Sequence, residues 1–252
     1  MATVEPHWLD ELLGGRIQIG RSADVYPPSI DAILLAASIA SAPHQTVLDV
    51  GTGSGAASLA LLARQRDCHI TGIDTHEEAL ALAHASAEAN GFAAQLTLQR
   101  CDIAAAARVL QGRQFDVVMT NPPFYAPETI RGSPDPARSA AHEESMPLAA
   151  WLAHALKRVR SHGWLHLIHR ADRLDEVLAS VHGQLGDLRI LPIYARADLS
   201  PATRVLVAGR CGAKSPTRLL QGLVLHQADG RYTAAAEAVL RHAQPLNMTG
   251  QG

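Results

Sequence analysis

Thiols are scarce in this chain: Cys68, Cys101 and Cys211 are all there are, odd in number and without a CxxC pair. That excludes a disulfide framework and predicts reduced cysteines in a cytoplasmic protein. Long apolar runs are lacking too. The longest, Ala32 to Ala42, is about half of what a bilayer span needs. The first residues show no basic region followed by an apolar one, so no secretory signal is expected. Neither sign of charge dominates, with 22 Lys+Arg against 24 Asp+Glu and a formal charge of −2. A total so close to neutral argues against a strongly basic nucleic-acid binder.

What is present is an ordinary globular composition of 252 residues, 47% hydrophobic, with a mean hydropathy of +0.01. This suits one large α/β domain or two small ones and excludes disorder over most of the chain. The total charge conceals a gradient. Residues 1–128 carry 7 basic and 14 acidic side chains, and residues 129–252 carry 15 and 10. Twenty of the 22 cations are Arg, the better phosphate fork.

Residues 1–22 read as a loosely ordered start, followed over 23–252 by one domain. The segment 29–40 is apolar on every side, which predicts a buried helix begun at Ser29 or Asp31. A regular alternation follows. Strand candidates are 47–50, 69–74, 96–102, 115–121 and 163–170. Between them lie helical patterns from Ala56 to about Arg64, from His76 to a stop at Asn90-Gly91, over the Ala-rich stretch after Asp102, and from Leu148 to about Arg160. A helix bearing Leu174, Val177, Leu178 and Val181 comes next. Then 188–195 and 203–211 follow one another without a helix, which predicts an antiparallel pair, and an extended run and a final helix close the chain. The expected fold is α/β: a doubly wound, Rossmann-like, mostly parallel sheet with an antiparallel hairpin at its C-terminal end.

The glycine turn GTGSG, residues 51–55, lies between a predicted strand and a predicted helix, the context that makes such a loop a cofactor site. Gly51, Gly53 and Gly55 allow the tight turn and the close approach of a ligand. Asp74 ends the next strand, roughly 20 residues on, where a ribose diol is gripped. Asp102 ends the third strand and is placed to accept from an adenine amino group, or else to cap the helix that follows. Asp49, inside the first strand, is costly to bury unpaired and so has few bland explanations. Dinucleotide enzymes share this layout. Their third glycine stands at the position of Ala56, a modest argument for S-adenosylmethionine over NAD.

Asn121-Pro122-Pro123-Phe124 separates the two. In a doubly wound sheet the first and fourth strands flank the switch point, so Asn121 faces the cofactor loop. The Asn side-chain oxygen and the Pro122 carbonyl make two acceptors for a planar NH2 group, leaving its lone pair free to attack a methyl donor. Phe124 is placed to stack on the ring or amide that carries the nitrogen.

These residues resemble the amino-methylating branch of the S-adenosylmethionine-dependent methyltransferases, whose signature is (D/N/S)-P-P-(Y/F/W). Within it, SIDAILLAAS, VLDVGTGSG, TNPPF, RVLVAGR and LVLHQADGRYTAAAEAVL are similar to the bacterial adenine-N6 methyltransferases that modify valine tRNA in its anticodon loop. The resemblance runs from about residue 15 to 245. It implies a seven-stranded methyltransferase sheet with S-adenosylmethionine as cofactor, held by Asp49, Gly51, Gly53, Gly55, Asp74, Asp102 and Asn121. It implies catalysis by Asn121, Pro122 and Phe124, and tRNA as partner. Two departures stand out. Ile30-Asp31-Ala32 replaces a frequent Thr-Asp-Gly, and the Phe after Pro-Pro is shared with ribosomal-RNA guanine-N2 methyltransferases.

Three other functions fit parts of this pattern. Both ribosomal-RNA guanine-N2 and protein-glutamine N5 methylation use the same tetrapeptide, but enzymes of those kinds commonly carry an extra N-terminal domain, and 50 residues precede Gly51. A non-catalytic, cofactor-binding subunit that presents RNA is the third. No metal is expected: His142-Glu143-Glu144 has Met146 where a second His ligand belongs, and His166 and His169 face opposite sides of a strand. Arg131, Arg138 and the Arg-rich second half are the candidate RNA contacts.

Overall fold

The computed structural model describes residues 9–40, 42–123, 146–198 and 200–249. Phe124, Arg131 and Arg138, singled out above, lie outside the described residues. In chain order the elements are β1 (Leu9–Leu12), β2 (Ile17–Gly20), α1 (Ile30–Ala37), β3 (Thr46–Val50), α2 (Ala56–Arg64), β4 (His69–Asp74), α3 (Glu77–Ala89), β5 (Leu96–Arg100), α4 (Ala106–Val109) and β6 (Phe115–Thr120). Then come α5 (Leu148–Leu156), β7 (Val159–Arg170), α6 (Leu174–Val181), β8 (Leu185–Arg196), β9 (Arg204–Cys211), β10 (Arg218–Leu219), β11 (Leu223–His226) and α7 (Ala234–Leu240).

Strands β3 to β9 build one sheet in the order β8-β9-β7-β6-β3-β4-β5, and the short β10 and β11 pair in parallel with the outer edge of β8. Pairing is parallel from β7 across to β5, and β9 is antiparallel to both β7 and β8. The sequence from 47 to 50 is apolar apart from Asp49 because β3 is central and covered on both faces. One face packs on α1, α2 and α7, through residues such as Leu34, Leu61 and Val239. The other packs on α5 and α6, through Leu152 and Val177. The chain winds from β3 outward to β5 and returns through β6 on the opposite side of β3. The switch point thus lies between β3 and β6, and the strand ends there leave a crevice.

Local chemistry sets the boundaries. Helix α3 stops where Asn90-Gly91 predicts. Gly91 is left-handed at φ +71, its N–H donates to the Glu88 carbonyl (3.0 Å) and Phe92 N–H to the Ala87 carbonyl (2.8 Å). The helix expected to reach Arg160 ends at Leu156 instead, and β7 begins at Val159. There Val159 pairs with Phe115, the Phe115 N–H donates to the Arg158 carbonyl (2.8 Å), and Arg160 bridges Asp116 at 2.5 Å.

The expectation of a loosely held start meets a different arrangement over residues 9–20. Strands β1 and β2 form an antiparallel hairpin, with Ile17 and Ile19 fully buried. The hairpin is tied to α3 by side chains 66 and 72 residues distant: Gly20 N–H donates to Ser86 Oγ (2.9 Å) and Gln18 N–H to Asn90 Oδ1 (2.9 Å).

Candidate active site

A cavity of about 1020 Å³ opens at the C-terminal ends of the parallel strands. That is the upper end of the ~300–1,000 Å³ range for small-molecule sites. Asp49, Gly51, Gly53, Asp74, Asp102, Asn121 and Pro122 all line it. Seven residues chosen along 74 positions of sequence thus converge on one space.

The glycine turn is built by its backbone. Gly51, Gly53 and Gly55 all have positive φ, at +73, +54 and +85. The N–H groups of Gly51 and Thr52 both donate to the Ile73 carbonyl, at 2.9 and 3.1 Å, which ties the turn to β4. A Cβ at Gly53 would meet nothing within 4 Å, so its backbone faces open space that a ligand can approach. Gly55 does not line the cavity; it caps α2, and a Cβ there would lie 3.1 Å from the Ala83 methyl of α3. Its role is helix packing. Gly55→Val combines a left-handed backbone with that clash, so the unfolding free energy should fall by roughly 2–4 kcal/mol. The urea midpoint measures it.

Asp49 is buried directly beneath the turn. Its Oδ2 accepts from Thr52 Oγ1 (2.8 Å) and Ser58 Oγ (2.7 Å). Burial pushes this carboxyl up to about 6; the Ser58 and Thr52 hydroxyls oppose the shift and the charge of Asp74 adds to it. Asp74 Oδ2 accepts the Gly53 N–H at 2.8 Å and its Oδ1 the His76 N–H at 2.9 Å. Each of those oxygens keeps a lone pair for a ligand hydroxyl. Asp102 caps the 3₁₀ turn after β5 by accepting from Ala104 N–H (2.8 Å), so its capping role is realised while its carboxylate also faces the cavity.

Asn121 follows the last residue of β6. Its Oδ1 is buried and has no hydrogen-bond partner among the described residues. Leaving an amide oxygen so placed costs roughly 1–3 kcal/mol unless an entering group supplies the missing donor. Burial also pushes His169 on β7 down to about 4, with Arg173 adding to the shift, and His166 down to about 3, with Arg189 adding. Both imidazoles are neutral at physiological pH, and His166 Nδ1 meets Ser38 Oγ at 2.9 Å.

The cavity wall includes residues that pattern reading passed over. Trp151 on α5 donates its indole N–H to Thr120 Oγ1 (3.0 Å), and Thr120 donates to the Val50 carbonyl (2.9 Å). The same ring lies where a Gly51 Cβ would touch it at 3.4 Å. Helix α5 is thereby pinned to the turn and to the residue before Asn121. In sequence Trp151 is only one apolar position of an amphipathic helix, and no local signal marks it. Trp151→Phe, which keeps the ring and removes the donor, should lower stability by about 1 kcal/mol, and Trp151→Ala by roughly 3–5. Thermal denaturation of the two variants separates these values.

At the far end of the cavity, Asp31 is buried and receives Arg204 Nε at 2.9 Å. The Ile30-Asp31-Ala32 segment forms part of the cavity wall, as do Thr203, Ile193 and Leu225. Several arginines of the second half are held in ion pairs within the chain. Arg170 pairs with Asp172, Arg173 with Glu176, Arg189 and Arg218 with Asp187, and Arg231 with Asp229. No described helix is long and apolar enough to cross a membrane.

Comparison with known proteins adds to this geometry. Residues 30–133 match the model of the methyltransferase small domain family. A tRNA1(Val) (adenine(37)-N6)-methyltransferase of Aeromonas salmonicida is 30% identical over 208 residues, covering 81% of this chain and 84% of its own. One of the same name from Porphyromonas gingivalis is 29% identical over 216 residues, covering 81% and 82%. The crystal structure of a predicted O-methyltransferase from Agrobacterium tumefaciens superposes with a TM-score of 0.70 at 25% identity, covering 85% of this chain and 97% of that one.

Proposed function

Since the chain belongs to the family of S-adenosylmethionine-dependent methyltransferases that holds the bacterial tRNA1(Val) adenine-N6 enzymes, we propose that it methylates the exocyclic N6 amine of an adenine in tRNA, in the anticodon-loop region of valine tRNA. One observation carries this reading: the buried Asn121 Oδ1, without a hydrogen-bond partner among the described residues, at the wall of the glycine-turn cavity.

The residues present fit the cofactor. The open backbone face at Gly53 accepts a ligand against the main chain, and three carboxylates surround the space. Asp74 suits a ribose diol, Asp102 an adenine amino group, and Asp49 the positive charge of the methionine end. S-adenosylmethionine bound there supplies an electrophilic methyl group.

The chain's own work is to hold the acceptor. Asn121 Oδ1 and the Pro122 carbonyl take the two hydrogens of a planar amine, fixing its orientation and leaving its lone pair available. As the nitrogen gains positive charge, both acceptors bind its hydrogens more strongly, and that difference between ground and transition state is what accelerates a reaction. The proton is then released to water, and no strong base is required. An alcohol acceptor offers one hydrogen to these two groups, so the pair favours an amine. To reach them a base must leave its stack, as enzymes acting on bases require. Phe124 is proposed to stack on it.

Labelled S-adenosylmethionine incubated separately with total tRNA, ribosomal RNA and protein tests the reading. Label is expected in tRNA. Label in ribosomal RNA or in protein alone would overturn it in favour of guanine-N2 or glutamine methylation, and cofactor binding without transfer would point to a presenting subunit.

A further inference from the structure

The cavity continues past Asn121 to Leu225 of β11, and beyond Leu225 the chain builds a small aromatic surface. His226 and Tyr232 stack with ring centroids 4.9 Å apart and planes inclined by 20°. The turn between them is rigidly made. His226 Nδ1 lies 3.0 Å from the Gly230 carbonyl, the Gln227 N–H donates to the Arg231 carbonyl (2.8 Å), and Gln227 Nε2 donates to the Tyr232 carbonyl (2.8 Å). Tyr232 packs against the core on one side, while His226 is half-buried. Arg196 ends β8 directly beside His226 in the parallel register. It is exposed and makes no ion pair among the described residues, although Asp198 feels its charge. Among the described residues near it, Arg170, Arg173, Arg204 and Arg231 are each paired with a carboxylate.

We propose that His226, backed by Tyr232, is a stacking platform for a nucleotide flanking the target in single-stranded RNA, with Arg196 holding the adjoining phosphate. The proposal rests on the RNA reading above and names where that RNA runs. Four inter-strand spacings, β6 to β7 to β9 to β8 to β11, separate Asn121 from His226, or ~19 Å, a span that a few nucleotides of extended single strand cover once a base is extruded. A pre-ordered aromatic pair with one uncommitted Arg is the pairing that single-stranded nucleic acid uses: every base has a π face, and each phosphate needs a cation. A protein or peptide acceptor gains nothing from such a stack.

The test is steady-state methylation of tRNA by the full chain carrying His226→Ala, and separately Arg196→Ala. For His226→Ala the KM for tRNA should rise roughly 10-fold, with kcat unchanged. For Arg196→Ala it should rise a few-fold, with a shallower dependence on salt. S-adenosylmethionine affinity, measured by calorimetry, and melting temperature should match wild type in both, which separates a docking role from a folding one. An unchanged KM for tRNA in His226→Ala, while wild type is active, would overturn the platform alone. Wild-type enzyme that labels only protein would overturn the RNA reading and the platform with it.

Discussion

Asn121→Ala is expected to slow methyl transfer roughly 10²–10³-fold, the loss seen when one preorganised hydrogen-bonding group is removed from a developing charge. The cofactor dissociation constant should change far less, because the glycine turn and the three carboxylates remain. Stability should stay level or rise by about 1 kcal/mol, since a buried oxygen without a partner disappears. Slower transfer in a protein that is at least as stable is the signature of a group kept for function at a cost to folding. Single-turnover rates at saturating cofactor, with a melting curve on the same sample, check all three. A variant that transfers at the wild-type rate while still binding cofactor would remove Asn121 from the mechanism.

Asp49→Asn should act in opposite directions on stability and on binding. The carboxyl is raised from the usual 3.8 to about 6, chiefly by burial. The folded state therefore holds its proton more tightly than the unfolded chain does. The stability this contributes is full below pH 3.8 and is lost as the pH rises through about 6. By pH 8 the ionised carboxylate costs on the order of 3 kcal/mol relative to acid. Asn removes that penalty and still accepts from Thr52 and Ser58, so the ligand-free variant at pH 8 should melt up to roughly 5–10 °C higher than wild type. At pH 4 the two should nearly coincide. The charge that burdens the free protein is the one that favours a cationic ligand, and affinity for S-adenosylmethionine should drop roughly 10-fold or more. Melting curves at the two pH values, with and without cofactor, read both effects. Parallel curves and unchanged affinity would mean that Asp49 only props up the turn.

The sequence disclosed what is local. Three glycines between an apolar strand and an Ala/Leu helix, the Asn90-Gly91 stop, and Pro-Pro after β6 each act through their own backbone, and each occurs where it was expected. The mostly parallel sheet followed from the alternation of strands with helices, and the antiparallel ending from the missing helix between 188–195 and 203–211. What was hidden depends on contacts across long stretches of chain. The hairpin over 9–20 has only two inward isoleucines on β2, and Ser86 and Asn90 on α3 tie its backbone down. The early start of β7 is set by Phe115 and Asp116. Trp151 becomes part of the site only because α5 crosses over Gly51 and Thr120. Asp31, whose segment departs from the family pattern, is explained by Arg204, 173 residues away.

The charge gradient also reads differently once the ion pairs are known. Several arginines of the second half, Arg170, Arg173, Arg189, Arg218 and Arg231, are held by neighbouring carboxylates, so their guanidinium groups are engaged within the chain. Direct contacts there are best sought at arginines without such a partner, while the excess of 15 basic over 10 acidic side chains is unchanged by the pairing. Arg196 is one such arginine.

Digestion of valine tRNA to nucleosides after incubation with the enzyme and S-adenosylmethionine, followed by mass spectrometry, tests the central claim most directly. The account predicts N6-methyladenosine from the anticodon loop, formed by wild type and lost with Asn121→Ala. N2-methylguanosine, or unmodified tRNA beside methylated protein, would contradict it.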